Sequence, residues 1–497
     1  MRRKVTTFRR SWRRRWPRPV VTAVLVIAIS GSALTPVRAG SWPAEQDSDR
    51  PAPCVPASQN PPPLTPTTVG TVRQAYYCIL DEYADGTTLD HRELLAAAFS
   101  GFAGELHRQG QDLAAATLPA FTGDRDEDLA AFSEVYQRVT DHLPDDPALR
   151  QALGEATIHG MVTSLHDNHA AFSRSVRLPN AAEGEVFGLG FATSPTQHLA
   201  ATAPDETTPP VFVTEVFGGP AAAAGLRPGD VILSVNGSAP FAGDTLSPGV
   251  MDLLYPSYPS QDAVELTVRR PATGTTWAVT LRPDRYRPDP ATTQPVTSRL
   301  LPGGVAYLEV RDFRVPGTAD RAIEAITDLG AGAELHGVVI DVRGAGGGRP
   351  DEVARLLSAF VHDETLGYTC DQDYGDCEPL RTDDDVALLG LPLAVLTDRN
   401  CPSACDMFSA AVQDLDIGTL VGTRTSGLVS GGGRVYQLDD GSQLMLPKQR
   451  VLGPLGEMIN EIGVAPDHHV PLVPEDLSTG RDPALDRAVE SLLAEAG

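Results

Sequence analysis

The hydrophobic and polar positions of this 497-residue chain fall into three successive patterns. From Val72 to Arg174 apolar residues return every three to four positions, as in the runs His91 to Phe102 and Ala148 to Leu165, and that period predicts amphipathic helices. From about residue 183 to 285 the pattern shortens to alternation broken by turns. Val231-Ile232-Leu233-Ser234-Val235 runs directly into Asn236-Gly237, a strand followed by a tight hairpin turn. Beyond residue 286, short apolar runs alternate with helical periods, an α/β pattern. Val305 to Val310 reads as strand, Ala319 to Leu329 as helix, Gly337 to Ile340 as a buried parallel strand and Glu352 to Val361 as helix. Further strands are predicted near Thr419 to Val421, Arg434 to Leu438 and Gln443 to Leu446, with a closing helix from Asp482 to Ala496. No internal repeat is visible, and a chain this long is expected to form about three domains.

Two turns in the α/β part carry chemistry. The apolar run Leu391 to Leu396 leads to Asn400-Cys401-Pro402-Ser403-Ala404-Cys405-Asp406 and then to Met407-Phe408-Ser409-Ala410-Ala411-Val412. Strand, tight turn with one hydroxyl at its tip, then helix exposes a nucleophile and leaves backbone N–H groups free for an oxyanion. The bland alternative is an N-cap serine. Upstream, Gly337-Val338-Val339-Ile340 runs into Asp341-Val342-Arg343-Gly344-Ala345-Gly346-Gly347-Gly348. Such a glycine loop lets backbone approach a ligand closely, and the helix N-terminus behind it favours negative charge. A nucleotide site is the rival, but the G-x-x-x-x-G-K-[ST] pattern and a nearby lysine are both missing, which favours an oxyanion loop.

Composition narrows the setting. Hydrophobic residues make up 41% of the chain, enough for packed cores, so disorder is expected only at the ends and in linkers. Residues 1–39 hold ten basic residues and no acidic ones, with the apolar run Val20 to Leu34 and then Val37-Arg38-Ala39, an export signal with an uncleaved membrane anchor as the alternative. Arg9-Arg10-Ser11-Trp12 suggests twin-arginine export. Its removal takes the formal net charge from −25 to −35, which argues against nucleic acid as a partner. Residues 40–68 are Pro-rich and read as a flexible lead-in. Six cysteines in an exported chain favour disulfides. Cys54 with Cys78 would pin the lead-in to the first helix, Cys370 with Cys377 would close a short acidic loop, and Cys401 and Cys405 flank Ser403. Histidines do not cluster near these cysteines at ligand spacing, so neither metal nor cofactor is expected.

Taken together, Leu165 to His169, Asp341 to Gly348, Ser403-Ala404-x-acid, Gln413-Asp414, Val421-Gly422 and Asn460-x-x-Gly463-Val464-x-Pro466-Asp467 resemble the C-terminal processing (tail-specific) serine peptidases. The resemblance covers about residues 70 to 470 and includes an inserted PDZ domain. Phe187-Gly188-Leu189-Gly190-Phe191 is similar to the carboxylate-binding loop of PDZ domains. Ala224-Gly225-Leu226-Arg227-Pro228-Gly229-Asp230-Val231-Ile232-Leu233-Ser234-Val235-Asn236-Gly237 is the most specific single motif. PDZ domains take a peptide C-terminus by adding it as a strand to a sheet edge.

The resemblance implies a multidomain α+β protein. Residues 69–182 would be helical, 183–285 a PDZ domain, 286–475 a ClpP/crotonase-like α/β peptidase core and 476–497 a C-terminal helix. It implies Ser403 as nucleophile, with N–H groups of Gly347, Gly348 and Ala404 as the oxyanion hole and Gly188, Leu189, Gly190 and Phe191 as the peptide-binding loop. The base departs from the lysine-dependent pattern T-x-G-K-G, because here the stretch is Thr425-Ser426-Gly427-Leu428-Val429. Only Lys4 and Lys448 exist in the chain, and Lys448 follows Leu444-Met445-Leu446-Pro447, where a solvated or paired lysine is the commoner outcome. The tricorn-type branch uses a histidine instead, and in Ser164-Leu165-His166-Asp167-Asn168-His169 that place falls on His169. An imidazole needs no extreme burial to act as a base. Glu461 is the orienting acid this reading supplies, although Asn460 holds the place of the tricorn-type glutamate; Glu457, Asp406 and Asp414 are the fallbacks. The expected function is an exported serine endopeptidase acting on flexible or unfolded protein and engaging free C-termini. The alternative is an inactive homologue that only binds peptides.

Overall fold

The computed structural model describes residues 54–58, 62–167, 169–174, 182, 184–195, 208–247, 249–371, 375–431 and 433–495. The export segment and most of the Pro-rich lead-in lie outside them. Residues from Pro51 onward form one compact unit.

Four helices open it: α1 Val69–Glu82, α2 His91–Arg108, α3 Arg125–Thr140 and α4 Pro147–Thr163. Each starts on a side-chain cap, Thr68, Asp90, Asp124 and Asp146 in turn, which satisfies first-turn N–H groups that no carbonyl can reach. Helices α2 and α4 cross closely because glycine faces backbone there. A Cβ at Gly101 would lie 2.1 Å from the Ala156 carbonyl oxygen, and one at Gly160 would lie 2.3 Å from that of Ala97. The helical period extends in the sequence as far as Arg174, but the chain leaves the helix at Thr163 and forms strand β1, Ala171–Ser173. The Asp167 carboxylate accepts the His169 N–H at 2.9 Å, a local bond that competes with continuing the helix.

The alternating segment folds as β2 Val186–Gly188, β3 Phe191–Thr193, β4 Val213–Val216, β5 Val231–Val235, helix α5 Val250–Leu254, β6 Val264–Arg270, β7 Thr275–Leu281 and β8 Asp284–Tyr286. Strands β5, β6 and β7 form an antiparallel sheet, β3 pairs with β4, and β2 pairs with β8. Their inward positions Leu189, Phe191, Val213, Ile232, Leu266 and Val268 pack with Leu254 of α5. Asn236 and Gly237 both take positive φ, 49° and 79°, the turn expected of Asn-Gly.

The last part is built on β9 Val296–Leu301, β10 Val305–Val310, α6 Thr318–Gly332, β11 Gly337–Asp341, α7 Pro350–Leu357, β12 Thr365–Cys370, β13 Leu393–Thr397, α8 Ala404–Asp414, β14 Gly418–Gly422, β15 Ser430–Gly431, β16 Gln443–Leu446, β17 Gln449–Leu452, β18 His468–His469 and α9 Pro483–Glu495. The main sheet runs β9-β10-β11-β13-β14-β18, parallel except where β9 meets β10. Period-two alternation sorts its residues onto two buried faces. Val338 and Ile340 face the cluster holding α6, α7 and α8, while Val339 faces Ala484, Ala488 and Leu492 of α9. Both chemical turns therefore leave neighbouring strands at the same end, where ligands of parallel sheets bind. The three cysteine pairs, Cys54–Cys78, Cys370–Cys377 and Cys401–Cys405, are joined.

Candidate active site

Strand β13 ends at Thr397, and Ser403 stands at the N-terminus of α8 with φ 58° and ψ −117°. A positive φ at a non-glycine residue costs about 1–3 kcal/mol and persists only when its surroundings fix it. Here the fixing contacts are explicit. The Ser403 N–H donates to the Leu428 carbonyl at 2.8 Å and to Asp406 Oδ2 at 2.9 Å. The wholly buried Asp406 carboxylate also accepts the N–H groups of Gly427 at 2.9 Å and Leu428 at 3.2 Å. One carboxylate thus ties the serine turn to the segment that occupies the lysine place. The Cys401–Cys405 bridge spans the same turn beneath the surface, both cysteines being buried.

The glycine loop lies against this turn. A Cβ on Gly347, at φ 73°, would come within 3.0 Å of the Ser403 Cβ and 2.7 Å of the Pro402 carbonyl oxygen. Gly348, at φ 143°, is pressed on the Phe313 backbone, where a Cβ would meet the carbonyl carbon at 2.2 Å. The loop is pinned by Gly346 N–H to the Arg311 carbonyl, Phe313 N–H to the Gly347 carbonyl and Arg349 N–H to the Phe313 carbonyl, at 3.2, 3.0 and 3.1 Å. Asp398, just past β13, accepts the Gly344 and Asn400 N–H groups at 3.0 Å each and so joins the two turns; burial pushes its carboxyl up. The N–H groups of Gly347, Gly348 and Ala404 meet no acceptor among the described residues.

Leu428 is buried, so a leucine side chain and not an amine fills the lysine place. Lys448 is held by Glu82, which also accepts the Tyr436 hydroxyl at 2.5 Å. Burial works to lower the Lys448 ammonium, but the Glu82 and Tyr436 contacts outweigh it and the net shift is upward. A lysine stabilised in its charged form is a poor proton acceptor near neutrality.

His169 is half-buried in the turn before β1. The carboxylate that accepts its N–H, Asp167, is itself buried, takes the Tyr83 hydroxyl at 3.0 Å and faces Arg450 at 3.9 Å. Arg450 lies on β17 directly opposite Ser430 of β15, and Ser430 is two residues beyond Leu428. A chain of contacts therefore runs from the histidine turn to the serine turn. Glu461 is exposed at φ 65° with its N–H on the Gly427 carbonyl, whereas the Asn460 carboxamide oxygen accepts the Val429 N–H at 2.9 Å. The Glu82 and Asp398 contacts went unseen in the sequence, the first because its partners are 366 residues apart. Asp398 had a local signal, an Asp-x-Asn turn at a strand end.

Residues 304–470 match the family described as peptidase family S41, and residues 212–270 match the PDZ domain. The chain is 31% identical over 352 residues to the chloroplastic C-terminal processing peptidase of Tetradesmus obliquus, covering 68% of this chain and 72% of that one. This chain belongs to the S41 serine peptidases. Tricorn protease homolog 1 of Streptomyces coelicolor is 32% identical over 286 residues, 55% of this chain and 25% of that protein. The crystal structure of mature CPAF superposes with a TM-score of 0.54 at 14% identity, covering 87% of this chain and 98% of that one, a likeness of fold.

Burial raises the Asp406 carboxyl to about 6, against the opposing pull of Thr425 and the backbone N–H groups of Gly427, Leu428 and Ser403. The folded S41 core therefore favours the protonated acid. The associated stability is present at low pH and is lost as pH rises through about 6. Above that pH the carboxylate accepts every N–H around it; below it, one oxygen carries a proton and turns from acceptor to donor. Asp406→Asn imposes that mismatch at all pH values. We expect its kcat to fall about 10- to 100-fold at pH 8, the cost of about one buried N–H left unpaired, and the gap to wild type to narrow as pH drops through about 6. A ratio constant from pH 5 to 8 would show that the charge of Asp406 is irrelevant.

Proposed function

We propose that this S41 peptidase is an exported endopeptidase that cleaves flexible or unfolded protein and takes hold of free C-termini through its PDZ domain. The observation that carries the reading is the nucleophile turn: Ser403 at φ 58° with the glycine loop packed on its Cβ, in a chain whose lysine place is filled by buried Leu428. In this reading Ser403 Oγ attacks the scissile carbonyl and passes its proton to His169. The N–H groups of Gly347 or Gly348 and Ala404 receive the oxyanion, and His169 returns the proton to the leaving amine. Water, deprotonated by the same imidazole, then releases the acyl-enzyme. The reading gives exposed Glu461 no role in orienting His169; Asn460, at the place of the tricorn-type glutamate, has its carboxamide oxygen on the Val429 N–H at 2.9 Å. Export is supported by the basic and apolar N-terminal segment and by three joined cysteine pairs. No helix among the described residues is long and apolar enough to cross a membrane. Neither the turn nor the relatives favour the inactive alternative.

The test uses residues 40–497 and an unfolded reporter protein with either a free or an amidated C-terminus. Faster cleavage of the free acid, lost in Ser403→Ala, is the expected result. Equal rates on both substrates would remove the C-terminus from the reading and leave a general endopeptidase.

A further inference from the structure

Strand β3 is the edge to which a peptide would add. Its inner edge is used: the Gly190 carbonyl accepts the Phe217 N–H and the Ser194 N–H donates to the Phe212 carbonyl, both at 2.8 Å. Backbone groups alternate along a strand, so the N–H groups of Phe191 and Thr193 point to the outer edge. There β3 has no other strand partner among the described residues. Strand addition requires the outer N–H of Thr193 to meet a peptide carbonyl, two residues beyond the loop that would hold the carboxylate.

That N–H is already taken. It donates to the Tyr255 hydroxyl at 2.9 Å, and Tyr255 is the residue that ends α5, the helix packed over this sheet. The same hydroxyl lies 2.9 Å from Thr193 Oγ1, which in turn donates to the Pro195 carbonyl at 2.6 Å. The donors assign themselves without conflict: Thr193 N–H to the phenol oxygen, the phenol proton to Thr193 Oγ1, and the Thr193 hydroxyl proton to Pro195. Burial pushes the Tyr255 phenol up, so it keeps the proton this chain needs.

We propose that Tyr255 is a latch on the peptide groove: its hydroxyl imitates the backbone carbonyl of an incoming C-terminal peptide, and binding proceeds by exchanging one for the other. The proposal rests on the reading that the PDZ domain takes free C-termini. The exchange makes the groove selective for ligands that present both ends of the interaction, a carboxylate on the Gly188 to Phe191 loop and an extended backbone over Thr193. A ligand that supplies the carboxylate alone leaves the latch shut. A buried N–H must not be left unpaired, so removing the phenol oxygen penalises the empty groove and not the filled one.

The experiment measures binding of a fluorescent decapeptide with an apolar C-terminal residue, as free acid and as amide, to the 40–497 chain carrying Ser403→Ala to prevent turnover. Tyr255→Phe removes the latch, and Thr193→Val, separately, weakens it by taking away the acceptor of the phenol proton; both leave the strand backbone intact. Both are expected to tighten binding of the free acid about 2- to 10-fold, with the thermal midpoint of the empty protein unchanged or lower. Unchanged or weaker binding in both variants would overturn the latch. Failure of the free acid to bind better than the amide, in wild type and variants alike, would overturn the capture of C-termini and the latch with it.

Discussion

Alanine in place of His169 is expected to lower kcat on casein about ten-thousand-fold, while Lys448→Met and Glu461→Gln are expected to stay within a few-fold of wild type. The size is that of removing one member of a nucleophile-base unit, where the remaining catalysis comes from binding and the oxyanion donors. A serine hydroxyl needs a base that is neutral near pH 7, and the chain has two lysines, one of them in the export segment. The other, Lys448, is ion-paired with Glu82 and shifted upward, so its removal affects stability and not proton transfer. His169 sits on a turn fixed by Asp167, whose own partners Tyr83 and Arg450 come from the C-cap of α1 and from β17. Steady-state kinetics of the three variants decide it: loss in Lys448→Met with retention in His169→Ala would install a Ser/Lys dyad instead.

Gly348→Val is expected to abolish turnover to within the background of Ser403→Ala, with the fold kept. Any side chain here meets the Phe313 carbonyl carbon at 2.2 Å, and φ 143° is open only to glycine, so the loop must move. Branching at Cβ makes the shift larger. Loss of one oxyanion donor costs about 2.7 to 4 kcal/mol, a factor of about 10² to 10³, and displacement of the loop from Ser403 adds to it. Circular dichroism and thermal melts establish that the variant is folded; kcat is then compared on the same substrate. Near-normal turnover would mean that the loop only turns the chain.

Much of the architecture was legible because its periods are clean. The strand Val305–Val310 and the strand Gln443–Leu446 lie where alternation and apolar runs put them, and the helix read as Ala319 to Leu329 extends to Thr318–Gly332. The helix read as Glu352 to Val361 begins earlier, at Pro350, because proline is accepted at a first helical position. Strands Thr365–Cys370 and Gln449–Leu452 escaped, since each is half-polar and finds its register only against a distant partner. The serine and glycine turns were visible because strand, small residues and helix follow one another locally. What holds them was not: Asp406 reaches forward to Gly427 and Leu428, and Arg311, which gives its carbonyl to Gly346, places its guanidinium between Glu215 of β4 and Glu309 of β10, both at 2.7 Å. Such pairings depend on tertiary approach, which no local period encodes. The candidate base, His169, is legible in the sequence only against Leu428 in the lysine place.

The most direct test of the account is to treat the 40–497 chain with a fluorophosphonate and locate the adduct by peptide mass spectrometry. One adduct is expected, on Ser403, absent from Ser403→Ala and formed far more slowly in His169→Ala. An adduct on another serine, or none in protein that hydrolyses casein, would contradict it.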